Sequence, residues 1–127
     1  MKPLNEITNE EKDRLIATEI MEYERKDSPS LMQCFRWFKG KAFLMYDFEY
    51  SPTTDIAQAL DALEQLRGEL GVQIELGLLD DDEWWVHAFT SGNAFYSSSR
   101  GRTLPLAISN ALVSYILSKR EGSDDKD

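Results

Sequence analysis

Apolar positions along this chain recur with two different periods, and each change of period marks a new element. Leu15, Ile16, Ile20 and Tyr23 fall at helical spacing, while Lys12, Asp13, Glu19 and Glu22 mostly occupy the opposite side. Thr8 with Glu11 three residues on is a capping box, in which each side chain satisfies the other's free backbone N–H. Together they predict an amphipathic surface helix over residues 8–24, ended by the stretch containing Pro29. Two aromatic-rich runs, 33–38 and 42–46, flank Lys39, Gly40 and Lys41, a link that suits a β-hairpin. Thr53, Thr54 and Asp55 can cap a second helix whose apolar positions Ile56, Ala59, Leu60, Leu63, Leu66 and Leu70 lead to Gly71.

From Val72 the period drops to two, with Val72, Ile74, Leu76 and Leu78 alternating with Gln73, Glu75 and Gly77. A turn of three aspartates precedes a strand at 83–90 that is apolar on both sides, with Trp84, Val86 and Ala88 on one and Trp85 and Phe89 on the other. Such a strand is expected to be covered on both faces. A last strand follows at 94–98, then a third helix capped by Thr103, with Pro105 tolerated in its first turn. The order α-β-β-α-β-β-β-α predicts an α+β fold: an antiparallel sheet of about five strands with three helices, arranged as an αβα sandwich. One domain spans residues 1–121, and the acidic tail 122–127 is expected to be disordered.

Charge narrows the function classes. Fourteen basic against twenty-three acidic side chains leave a net charge of −9, which repels the nucleic-acid backbone and excludes a general DNA or RNA binder. The same charge suits solubility, and also a partner with a basic surface. The single cysteine, Cys34, cannot form an internal disulfide, and no signal-peptide pattern opens the chain, so the cytoplasm is the expected compartment. No apolar run approaches the roughly 20 residues of a bilayer span, so no membrane association is expected.

Three segments resemble the phage ABA sandwich domain family, in the family's order. They are Lys12-Asp13-Arg14-Leu15-Ile16-Ala17 through Ile20-Met21-Glu22-Tyr23, then Tyr50-Ser51-Pro52-Thr53-Thr54-Asp55-Ile56-Ala57-Gln58-Ala59, then Thr103-Leu104-Pro105-Leu106-Ala107-Ile108. Trp85 falls where the family tends to place a strand tryptophan. The resemblance implies a small phage or prophage protein with a sheet between helical layers and no activity general to the family. The chain departs from the family in its longer aromatic hairpin around residues 39–41 and in Arg100-Gly101-Arg102, where family members are often acidic.

No P-loop, paired-histidine, CxxC or nucleophile-elbow pattern is present, so an enzyme is not expected, nor a cofactor. His87 reads as a structural histidine and Cys34 as a packed thiol. Asp80, Asp81, Asp82 and Glu83 lack the spacing of a calcium loop and read as a solvated turn, with no metal site expected. Ser99, Arg100, Arg102 and Thr103 stand just before a helix N-terminus, where free N–H groups and guanidinium groups could hold a nucleotide-like anion. The simpler reading pairs those arginines with the chain's own carboxylates.

Phe35, Trp37, Lys39, Lys41 and Phe43 of the hairpin, with Asp80, Asp81 and Asp82, are the candidate interface residues, since aromatic groups concentrate in binding hot spots. A core role competes for the same aromatics. The function expected is that of a non-enzymatic phage accessory protein acting by binding, an inhibitor of a host protein of antiviral defence. The alternatives are a binder that sequesters a signalling nucleotide, and a phage structural or assembly protein. Self-association through the hairpin is a further version of the interface.

Overall fold

In the computed structural model, which describes residues 3–27, 35–71, 73–79, 82–89 and 96–124, the capping box forms as the sequence predicts. The Glu11 N–H donates to the Thr8 hydroxyl at 3.1 Å and the Thr8 N–H to the Glu11 carboxylate at 3.4 Å, opening helix α1, Asn9–Glu19. The helix stops short of Glu24. Glu22 turns the chain with φ +58°, and the Tyr23 N–H closes back onto the Ala17 carbonyl at 2.9 Å. Nothing in the sequence signals this stop, because a left-handed position usually carries Gly.

The residues freed by that early stop form a strand, β1, Glu24–Asp27, which is the one the sequence reading lacks. It pairs antiparallel with β2, Phe35–Lys39, and β2 pairs with β3, Ala42–Tyr46, across a turn at Gly40 with φ +61°. Helix α2, Ile56–Leu70, starts on the Asp55 carboxylate, which accepts from the Gln58 N–H, and ends at Gly71 with φ +65°. A second antiparallel sheet follows, β4-β5-β6, from Gln73–Leu78, Trp84–Phe89 and Tyr96–Gly101. Helix α3 is Leu104–Asp124, capped by the Thr103 hydroxyl on the Leu106 N–H at 3.3 Å. It continues three residues into the segment read as a tail.

The described residues therefore form an α+β fold, with three α-helices and six strands in two three-stranded antiparallel sheets, in the order α-β-β-β-α-β-β-β-α. Its centre is α3, in which every residue from Ala107 to Val113 is buried. A helix enclosed on all sides needs partners on all sides, and α3 packs against β5 and β6 as well as against α1 and α2. Ile16, Ala17 and Ile20 of α1, Ala59, Leu63 and Leu66 of α2, and Val86 and Ala88 of β5 join it in one core. β5 was expected to be covered by helices on both faces, but α3 is the helix packed on it among the described residues. On the other face lie Trp85, His87 and Phe89, half-buried, with Trp85 spread over Gly77 and against the His87 ring at 4.7 Å.

Enclosure also traps polar groups. Lys12, placed on the polar side by helical spacing, is buried, and its Nζ donates to Asn110 Oδ1 at 2.7 Å. The Asn110 amide in turn donates to the Arg100 carbonyl at 2.7 Å, so one chain of hydrogen bonds ties α1, α3 and the end of β6. Burial pulls the Lys12 ammonium below the ordinary lysine pKa, and the neighbouring Asp13 charge opposes that shift. No helix among the described residues is long and apolar enough to cross a membrane.

Candidate protein-binding face

Strand alternation decides which hairpin aromatics are available to a partner. Trp37 points inward, 1% exposed, beside its cross-strand neighbour Met45. It is a core residue, which corrects its place among the interface candidates. Phe38, Phe43 and Tyr46 take the outer face as an edge-to-face chain, with centroids 5.7 Å apart for Phe38 and Phe43 and 5.4 Å for Phe43 and Tyr46. The register slips between Trp37 and Phe38, leaving Leu44 as the extra residue of β3. Phe43 remains 49% exposed, Tyr46 41% and Leu44 36%.

Cations border this aromatic surface. Lys26 Nζ stands 4.5 Å from the Phe38 ring centre and the Arg36 guanidinium 5.5 Å from it, and Lys39 and Lys41 are exposed at the hairpin turn. On this surface of a chain of net charge −9, the four cations outnumber Glu24, which opposes Phe38, and Glu49, which accepts from the Tyr46 N–H at 2.9 Å. The side chain of Phe35, and Asp80 and Asp81 altogether, lie outside the described residues. Asp82 is exposed in the turn before β5, at φ +59°.

The four anion candidates are placed on different sides. Ser99 faces inward and lies 3.4 Å from the Ser114 hydroxyl, while Arg100, its neighbour on the strand, faces outward and meets Glu83 at 3.8 Å. Arg102 is exposed, and the Thr103 hydroxyl is engaged as the cap of α3. Among the described residues these groups are not gathered around one point, and the Arg100–Glu83 contact matches the simpler reading of the arginine as a partner for the chain's carboxylates.

A cleft of about 280 Å³, which site-by-site sequence reading misses, lies between α1 and the loop before α2. Asn9, Glu10, Asp13, Asp47, Tyr50, Ser51, Thr53 and Thr54 line it. Its signal in the sequence is the Tyr50-Ser51-Pro52-Thr53-Thr54-Asp55 segment, here seen as a fastening of that loop onto α1. Asp13 accepts from the Thr53 N–H at 2.9 Å, from the Thr53 hydroxyl at 3.1 Å and from the Ser51 hydroxyl at 3.4 Å. Asp47 is held by Arg14 at 2.9 Å, and Gln58 accepts from the Ser51 N–H at 2.6 Å. Tyr50 packs edge-to-face on Tyr23 at 5.6 Å, and burial pushes its hydroxyl pKa well above the ordinary tyrosine value.

Burial also raises the Asp13 carboxyl above its ordinary range, with the Thr53 and Ser51 hydrogen bonds opposing the shift. A raised carboxyl contributes stability that is fully present below its unfolded pKa and lost as pH rises through the folded value. Asp13→Asn removes that dependence. Relative to the wild type, this variant is expected to become steadily more stable in urea melts taken from about pH 3 to about pH 7. A stability difference that stays flat over that range would contradict the burial argument. Asp13→Ala, which leaves the Thr53 N–H without its acceptor, is expected to cost about 1–3 kcal/mol.

The architecture defines an α+β sandwich domain whose outward aromatic face is its most distinctive chemistry. Comparison of the sequence with known families is decisive about kinship: the phage ABA sandwich domain matches residues 14–112. The chain belongs to that family. A crystal structure of a phage protein from Bacillus cereus is similar, with a TM-score of 0.63 over 91% of this chain and 93% of that one. The two are 21% identical, so the likeness is one of fold. No curated protein matches the sequence.

Proposed function

We propose that this phage protein acts by binding, without catalysis, and that its partner is a host protein engaged through the aromatic face of β1-β2-β3. The observation that carries the reading is the exposed cluster of Phe43, Tyr46 and Leu44, bordered by Lys26, Arg36, Lys39 and Lys41. An aromatic centre with a charged rim has the anatomy of a protein interface. The rim is basic, so the partner surface is acidic around an apolar centre. A phage protein works among the proteins of its host, and inhibition of a host defence protein is the consequence we assign to this binding.

The test is native mass spectrometry of the tagged protein recovered from host lysate. The Phe43→Ser, Tyr46→Ser double variant is expected to keep its circular dichroism and melting temperature and to lose the co-purifying protein mass. Each truncated hot-spot aromatic should weaken binding by about 2 kcal/mol, roughly 30-fold. An Arg100→Ala, Arg102→Ala variant is expected to retain the partner. The reverse pattern, with a small added mass lost on changing the arginines, would reject the hairpin reading in favour of nucleotide sequestration.

A further inference from the structure

Among the described residues the two sheets leave four edge strands, and three of them carry features that discourage pairing with another chain. β1 is charged at Glu24, Arg25 and Lys26, β3 is interrupted by its bulge at Leu44, and β6 ends in Arg100-Gly101 against the start of α3. β4 has none of these. Among the described residues it pairs with β5 alone, and Glu75 is its single charged side chain. Leu76 is 42% exposed and Leu78 57%, although their cross-strand neighbours are Val86, fully buried, and Trp84, packed against the core. The core-facing side of the sheet therefore extends past α3 onto an open edge.

We infer that β4 is the seat of a two-fold homodimer, in which β4 pairs antiparallel with β4 of a second copy to make a continuous six-stranded sheet. The argument for a second copy is self-complementarity of register and charge. Directly opposed residues share a face, so symmetric pairing must be centred on a residue to keep apolar side chains together. Centring on Glu75 would oppose two carboxylates, which is destabilising. Centring on Leu76 places Leu76 against Leu76, Ile74 against Leu78 and Glu75 against Gly77. Each copy's lone carboxylate then meets a residue with no side chain, and Leu76 and Leu78 of both copies close over one another. The same patch serves both sides, as a two-fold interface requires. This face is separate from the aromatic hairpin, so the dimer and the host-partner reading stand or fall independently.

Sedimentation equilibrium of the purified wild-type chain, with cysteine cross-linking in a Cys34→Ser background, tests this inference. The wild type is expected to sediment as a dimer, Leu76→Lys as a folded monomer, and Ser98→Lys, on the opposite edge, as a dimer. Leu76→Cys is expected to form an intermolecular disulfide on mild oxidation, since opposed residues of paired antiparallel strands lie within bridging distance. Ser98→Cys is expected to stay reduced. Should Leu76→Lys fail to fold, the Leu76→Cys result decides. A wild-type monomer throughout the micromolar range overturns the inference, and so does a dimer that neither changes with Leu76→Lys nor cross-links through position 76.

Discussion

Alanine at position 101 is expected to destabilise the fold by about 3 kcal/mol, a large effect for adding one methyl group. Gly101 ends β6 at the point where the chain turns into α3. A Cβ there would lie 2.6 Å from the Ala107 backbone nitrogen and 3.0 Å from both Ala107 Cα and the Leu106 carbonyl carbon. All three atoms belong to the first turns of a helix buried on every side, so none can swing away as a side-chain tip could. Relief requires moving α3 away from β6. At Gly77 a Cβ would come equally close, at 2.6 Å, but to the half-buried Trp85 ring, which can shift toward solvent. Gly77→Ala should therefore cost clearly less than Gly101→Ala in urea unfolding, and equal costs would show that backbone contact does not set the penalty.

Trp37→Ala is expected to cost about 3–5 kcal/mol, because it opens a cavity the size of an indole where the surroundings are fixed by other core residues. Phe43→Ala, six residues further on, removes a ring that is half in water and is expected to cost under about 1 kcal/mol. Trp37→Phe should fall between them, since the indole N–H finds no hydrogen-bond partner among the described residues and its removal offsets part of the lost volume. The contrast is measured by denaturant melts of the three variants. Similar losses for Trp37→Ala and Phe43→Ala would place both aromatics in the core and take Phe43 out of the face offered to a partner.

That pair of residues also shows how far the sequence could be read. Caps written in local chemistry were legible: Thr8 with Glu11, Asp55, Gly71 and Thr103 all act where their spacing predicts. Strands with one apolar side, such as β4, were legible as well. β1 was not, because Glu24-Arg25-Lys26-Asp27 has no apolar alternation and is held by backbone pairing to β2. The left-handed turn at Glu22 that frees those residues carries none of the glycine that would announce it. In the hairpin both faces are aromatic, so alternation sorts Trp37 from Phe38 without saying which side the core takes. Lys12 and Asp13 looked like solvent-facing helix positions, and only long-range contacts with Asn110 and with Thr53 reveal Lys12 as buried and Asp13 as half-buried. The partners, an acceptor for Lys12 and a donor for Asp13, lie 98 and 40 residues away, beyond the reach of any local pattern.

The central place of α3 has a consequence for how the chain comes to be folded during synthesis. α1, α2, β5 and β6 all rest on this one helix, which follows every one of them in the sequence. While the ribosome is still translating the earlier elements, their apolar faces have nothing to close upon. The nascent chain must wait, with those faces exposed, until the segment around Ile108 and Leu112 emerges. Folding is then expected to occur as a single late event rather than progressively from the N-terminus.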